Sequence, residues 1–346
     1  TLQAVFPEVA IMPGDEQVYC AAQRPGRVSE DPQALARRYR DTPLDAHRFP
    51  AESFRSLLEP ERISFVREQL TAGDRDLNRD DKPITYYLNM VLWGKFSASG
   101  FVDWLEKLRQ MGVWPYLLPL GLLVALWLLR LSLEGFRRAR LQRQTGTFAL
   151  VVLGLIAMAG QLAILFSYQS HVGFMFERVA LLNGLFMTGL ALGAGLGKGL
   201  ARRGRAEWAL SAVLLVVAGA LLGMPGMLAA IGDWVSRWQE GGYLGLSLGL
   251  GLLTGTGFPL GFQLAHRDLP AIVRSSGIAQ AADNLGGALG GLVTGAFMVP
   301  ILGVAGSCQL LALFALFALA PLLYARFVPE RLSGVGERGY RAFPWS

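Results

Sequence analysis

Asp283 is the residue in this chain that most needs a reason to be where it is. It lies within Gly277 to Gly303, GIAQAADNLGGALGGLVTGAFMVPILG, a stretch apolar over about the 20 residues that a bilayer requires. A carboxylate inside such a span is costly unless it is paired or faces a wet cavity. Gly287, Gly291 and Gly295 recur every four residues, and Asp283 is one step earlier on the same helical stripe. Glycines at this spacing let a second helix come close. The stripe is therefore expected to face protein, with the Gly-bearing third span as its partner. A plainer role for Asp283, capping an interfacial turn, fits the same residues. Gln161 falls in the middle of another apolar run, and Glu177 stands beside Arg178 near the end of a third. Glu177 and Arg178 also suit an interface, where long side chains reach toward headgroups. Gln263, His266, Gln280 and Asn284 lie nearer to span ends. Acidic and amide groups facing a cavity between helices would suit a small cation, a polyamine among them.

The elements that must hold these groups come from two unlike parts. Residues 1–112 are charged and rich in Pro and Asp, while apolar runs dominate from Val113 onward. Seven spans are expected, at about 113–131, 147–168, 173–198, 207–231, 243–265, 278–302 and 304–325, followed by a tail at 328–346. The last two are joined only by LGVAGS and are expected to form a tight antiparallel pair. Arginines crowd alternate loops, as in Arg130, Arg137, Arg138, Arg140 and Arg143, then Arg202, Arg203 and Arg205. The intervening loop SYQSHVG has none. That alternation places the arginine loops and the C-terminus in the cytoplasm. The net charge of +6 thus reflects topology, and no nucleic-acid partner is expected. Trp114, Trp127, Trp208, Trp234 and Trp238 fall where interfacial belts belong. Cys20 and Cys308, far apart and without a CxxC or nearby His, point to neither a metal site nor a disulfide framework. A chain that opens on Thr1 without a signal peptide is expected to be a fragment or a processed product.

In residues 1–112, AVFPEVAI (4–11) and EQVYCAAQ (16–23) flank the turn signal Pro13-Gly14-Asp15 and predict a hairpin. Asp31 followed by Pro32 predicts a helix over 31–40. Leu57, Leu58, Ile63, Phe65, Val66 and Leu70 supply an apolar face to further helical pieces. A hairpin alone is marginal in water and calls for a larger sheet.

TLQAVFPEV, PGDEQVYCAAQ and LNRDDKPITYYLN together resemble the C-terminal end of a spermidine synthase-like (polyamine aminopropyltransferase) domain. More closely, they resemble the bacterial proteins in which such a domain is fused to membrane helices. YQSHVGFMFERVALLNGLFMTGLALGAGLG, GTGFPLGFQLA and AADNLGGALGGLVTGAFMVPILG resemble the helices of that fused form. The likeness covers residues 1 to about 93 and most of 147 to 303. It implies a mostly α, multi-pass membrane bundle, preceded by the C-terminal piece of an α/β Rossmann-like, methyltransferase-type domain. It also implies aminopropyl transfer from decarboxylated S-adenosylmethionine in the full protein, at a bacterial inner membrane. The Gly-rich turn and catalytic Asp of the family are not found in this sequence, so the chain alone is expected to be inactive.

Of the family's substrate residues, the paired tyrosine matches Tyr86 and Tyr87, one of which would position the amine. Asp81, beside Asp80, would meet its charge. The residues themselves also allow Tyr86 and Tyr87 to be strand residues packed on the sheet, and Asp80 and Asp81 to form a turn or cap. Two rival functions remain open from the sequence: a transporter-like protein for a cationic or small polar solute, using Asp283, Glu177 and Gln161, and a membrane anchor with no activity. Seven spans and a cytoplasmic C-terminus would put residues 1–112 outside, in conflict with the family's cytoplasmic substrates.

Overall fold

The computed structural model describes residues 2–14, 17–43, 49–72, 77–97, 100–118, 121–122, 125, 128–129, 138–173, 176–265 and 272–327. Part of the first expected span, Trp127, Arg130, Arg137, His266, Arg267 and the tail 328–346 lie outside them. The chain divides into two compact units, Thr1–Arg79 and Asp80–Ser346.

The first unit opens with one helical turn, α1 (Leu2–Val5), and the hairpin β1 (Glu8–Met12) and β2 (Val18–Ala22), in register with Ala10 opposite Cys20. The strand begins later than the expected Ala4 because residues 2–5 are helical and Pro7 lacks the amide a ladder needs. Helix α2 (Pro32–Asp41) starts as its sequence predicts: the Asp31 carboxylate accepts from the Gln33 amide at 2.9 Å. After the short α3 (Phe54–Leu57), α4 (Pro60–Ala72) lies against β1. Leu58, Ile63 and Val66 are buried, whereas Leu57, Phe65 and Leu70 are exposed. The Glu30 carboxylate accepts the Ile11 amide at 2.9 Å and pairs with Arg67 at 2.8 Å, tying strand to helix. The described residues form the expected hairpin as a sheet of two antiparallel strands, and nothing in them supports a Rossmann-like domain around it.

The second unit is helical: α5 (Ile84–Phe96), α6 (Phe101–Gln110), α7 (Arg138–His171), α8 (Phe176–Ala201), α9 (Ala206–Gly232), α10 (Ser236–Ala265), α11 (Ile272–Val293) and α12 (Val299–Phe327), with a π-helical segment, Thr294–Met298, joining the last two. Tyr86 and Tyr87 are therefore helical, not strand residues; the run from Ile84 lacks the period-2 alternation of a strand and follows Pro83, which favours a helix start. Among the described residues, five helices rather than seven are long and apolar enough to cross a membrane. They are Gln142–His171, Phe176–Ala201, Ala206–Gly232, Trp238–Ala265 and Ser276–Tyr324. The fifth merges expected spans six and seven and breaks at Gly303, whose φ of 77° suits glycine alone. Beyond the break, α12 packs on α9 and α7 instead of lying along α11, so the expected tight antiparallel pair is not formed.

Helices approach at glycines until backbone meets backbone. A Cβ at Gly286 would lie 2.0 Å from the Val151 carbonyl, and one at Gly290 would lie 2.3 Å from that of Leu155. The close face of α11 is thus one residue away from the Gly287, Gly291 and Gly295 stripe, and its partner is α7, not the third span. NLGGALGG offers two adjacent ladders. The one through Gly286 and Gly290 continues back to the buried Ala282 and Ala279, and it makes the contact. Gly189, Gly193 and Gly197 of α8 do form a ladder, pressed on Leu248, Leu252 and Thr256 of α10. Residue order along these contacts makes α7 parallel to α11 and α8 parallel to α10. Gly146 meets Gly261 and Gly160 meets Leu250, so α7 is antiparallel to α10.

Gly286→Ala is expected to cost about 1–3 kcal/mol through overpacking, seen as a lowered unfolding temperature in detergent. Gly291→Ala, which meets nothing within 4 Å, should leave that temperature unchanged or raise it. Ser170 and Gln144 lie at opposite ends of α7; cysteines at the two positions should be labelled from opposite sides of a sealed vesicle, and labelling from one side would contradict the arrangement.

Candidate functional site

Among the described residues polar side chains lie at several levels of the bundle, and three of these levels bear on the expected site. The first is Asp283, on α11 against the helix it packs on. Its carbonyl lies 2.3 Å, and its Oδ1 2.9 Å, from where a Gly154 Cβ would be. Only glycine at 154 admits it. Gly154 comes twelve residues after Gln142 and seventeen before His171. At 1.5 Å per residue this sets Asp283 about 18 Å and 26 Å from the two ends of that span, and about 10 Å from Ser276, where its own span starts. The carboxylate thus lies inside the span, and it remains half-buried. Nearby, Gln280 donates to Asn284 at 3.2 Å on the exposed side.

The second level joins three helices. Gln161 is buried; its Nε2 donates to Asn183 Oδ1 at 3.2 Å, and its Oε1 accepts from the Ser247 hydroxyl at 2.8 Å. The same hydroxyl lies 2.9 Å from the Leu182 carbonyl, so its single proton is shared. Buried amides need such partners, and this cluster fastens α7, α8 and α10 without offering a site.

The third level closes the end of the bundle at His171. The imidazole Nδ1 is 2.8 Å from the Ser167 carbonyl and 3.2 Å from the Tyr243 hydroxyl. A carbonyl cannot donate, so Nδ1 carries the proton; the Tyr243 and Ser167 hydroxyls pair at 3.2 Å, where either can donate. Arg178 pairs with Glu240 at 2.6 Å, while its neighbour Glu177 is exposed. Asn183, Ser247, Tyr243 and Glu240 are not singled out by their sequence. Each is a lone polar residue in or beside an apolar run, and only its partner gives it meaning.

The residues matched to the amine subsite do not gather into one. Tyr87 is buried and its hydroxyl donates to the Leu105 carbonyl, locking α5 to α6. Tyr86 is exposed, its ring edge-on to Phe166 at 5.9 Å. Asp81 lies in the turn before α5, where its carbonyl accepts the Val304 amide at 2.8 Å just past the Gly303 break. An open cavity of about 380 Å³ in the first unit is lined by the Pro13-Gly14 turn, Glu59, Glu61, Arg62 and Phe65. That lining has no Gly-rich strand-to-helix cradle and no acidic strand end, so this cavity does not fit an adenosyl group. Among the described residues, no cluster of His, Cys, Asp or Glu could hold a metal ion.

Fold and polar levels together define a polytopic helical-bundle protein whose helices have the length and apolarity to span a membrane. Family models, curated proteins and solved structures gave no match to the chain.

Burial pushes the Tyr87 phenol above its usual range. The folded state then holds this proton more tightly than the unfolded state. Its contribution to stability is complete below about pH 10 and falls as pH rises past that value. In alkaline unfolding followed by circular dichroism, Tyr87→Phe is expected to flatten this part of the decline. An unchanged pH profile would show that Tyr87 ionises freely.

Proposed function

We propose that this chain is an integral membrane protein of the spermidine synthase-like kind whose helical bundle binds a small cationic amine, with Asp283 as the group that meets it. The observation that carries the reading is the depth of Asp283, level with Gly154 near the middle of α7. An acid so placed calls for a cation, a proton or water as its counterpart. The hairpin, the LNRDDKPITYYLN segment and the glycine-rich helices support the family reading. The alternation of arginine loops supports a bacterial inner membrane with a cytoplasmic C-terminus. Aminopropyl transfer is not assigned to this chain, whose sequence lacks the family's Gly-rich turn and catalytic Asp.

A second reading, a transporter for a cationic or small polar solute, draws on the same carboxylate. It is favoured by the irregular backbone that follows α11, namely the π segment at Thr294–Met298 and the break at Gly303 in α12. Broken helices free backbone groups that can line a path.

Asn keeps the shape of Asp and loses the charge. Asp283→Asn is therefore expected to fold normally and to weaken spermidine binding tenfold or more, about 1.4 kcal/mol, in equilibrium binding to the purified chain at matched detergent and salt. Equal affinities would remove the site and leave the anchor reading. Spermidine accumulation in wild-type proteoliposomes, lost in Asp283→Asn, would select the transporter.

A further inference from the structure

We propose that α5 and α6 form an interfacial hairpin that lies in the headgroup boundary of the bilayer, outside the spanning helices and at the end of the bundle that bears His171. The sequence groups these residues with the charged N-terminal part, yet they belong to the compact unit of the helical bundle. α5 buries Ile84, Tyr87 and Val91 on one face. Its opposite face is mostly apolar: Leu88, Leu92, Trp93 and Phe96 are exposed, Phe96 at 75%, with Thr85 and Asn89 among them. So large an apolar surface outside the buried face is either covered by protein or in contact with lipid. α6 buries Val102, Leu105 and Leu108 and also exposes Phe101 and Trp104, stacked with ring centroids 4.8 Å apart.

Two ring contacts fix the depth of this surface. Tyr86 meets Phe166, five residues before the end of α7 at His171. Trp104 meets Phe297, six residues before the break at Gly303, with centroids 6.0 Å apart. At 1.5 Å per residue both lie about 8–9 Å inside the ends of the spanning helices. α11 runs parallel to α7, so Phe166 and Phe297 belong to the same end of the bundle. The hairpin therefore does not sit on top of the bundle in water. It lies beside the bundle at the level where aromatic rings collect in membranes, and its exposed face continues the apolar outer surface of the spans. Its polar groups suit that level. Lys95 bridges to Glu106 at 2.8 Å across the two helices, and Lys107 is exposed, near enough to water to keep its charge. The Asp81 carbonyl, bound to the Val304 amide, anchors the start of the hairpin to the same end.

The test is spin-label accessibility in the full chain, reconstituted into vesicles of phosphatidylethanolamine and phosphatidylglycerol. Cys308 is buried and Cys20 exposed, so a label on the wild-type chain at Cys20 gives the aqueous reference. In a Cys20→Ser background, Phe96→Cys and independently Leu92→Cys probe the hairpin, and Leu196→Cys, on the exposed face of α8, gives the lipid reference. The ratio of oxygen to nickel-complex collisions at positions 96 and 92 should stand several-fold above that at Cys20. The depth it reports should be about 5–10 Å below the headgroups. A ratio like that of Cys20 would place the hairpin in water and overturn the proposal. Low access to both reagents would mean that a protein surface, such as a second copy of this chain, covers it, and would overturn the proposal equally.

Discussion

Close backbone contact at glycines is the constraint on which this bundle rests. Water drives apolar side chains together in a soluble protein, but lipid gives spanning helices no comparable push, so packing itself must hold them. At Gly286, Gly290, Gly189 and Gly193 the partner's carbonyl occupies the space that a Cβ would need. Two parallel pairs result, α7 with α11 and α8 with α10, and the antiparallel contact of α7 with α10 joins them. α7 is central to the arrangement: 78% of its most apolar window is buried, against 22% for α8, which leaves one broad face outward.

Polar side chains in such an interior either satisfy one another or await something. Gln161, Asn183 and Ser247 belong to the first kind, because each finds a hydrogen-bond partner on a neighbouring helix. The Tyr243, Ser167 and His171 group does the same at the bundle's end. Asp283 differs in carrying a formal charge at depth beside the bare backbone of Gly154. The close approach that lets α11 pack on α7 is also what brings the carboxylate to this level. Packing and the proposed recognition thus share one feature, and glycine at 154 serves both.

The break at Gly303 shows how a local backbone choice redirects the chain. With a positive φ there, α12 leaves the line of α11 and joins α9 and α7. The amide exposed just beyond the break is not left bare, since the Asp81 carbonyl accepts it. Segment 80–82 is thereby tied to the end of the bundle, and α5 follows directly, with Tyr87 holding α6 alongside.

Much of this was legible in the amino-acid order. Apolar runs mark the long helices, though not their number, Asp31 with Pro32 fixes the start of α2, and Pro13-Gly14 marks the turn of the hairpin. These are local signals, in which each residue acts on neighbours a few positions away. The choice between the Gly286 and Gly287 ladders, the pairing of α7 with α11, and the course of α12 were decided elsewhere. They depend on which surfaces meet across distant positions, as Val151 meets Gly286, and one apolar face resembles another until a specific shape is set against it. Tyr86 and Tyr87 make the point at a smaller scale. Their types suit a strand as well as a helix, and it was the burial of Ile84, Tyr87 and Val91 on one side of α5 that settled the matter. The sequence could place an acid at position 283, but only the contact with Gly154 gave its depth.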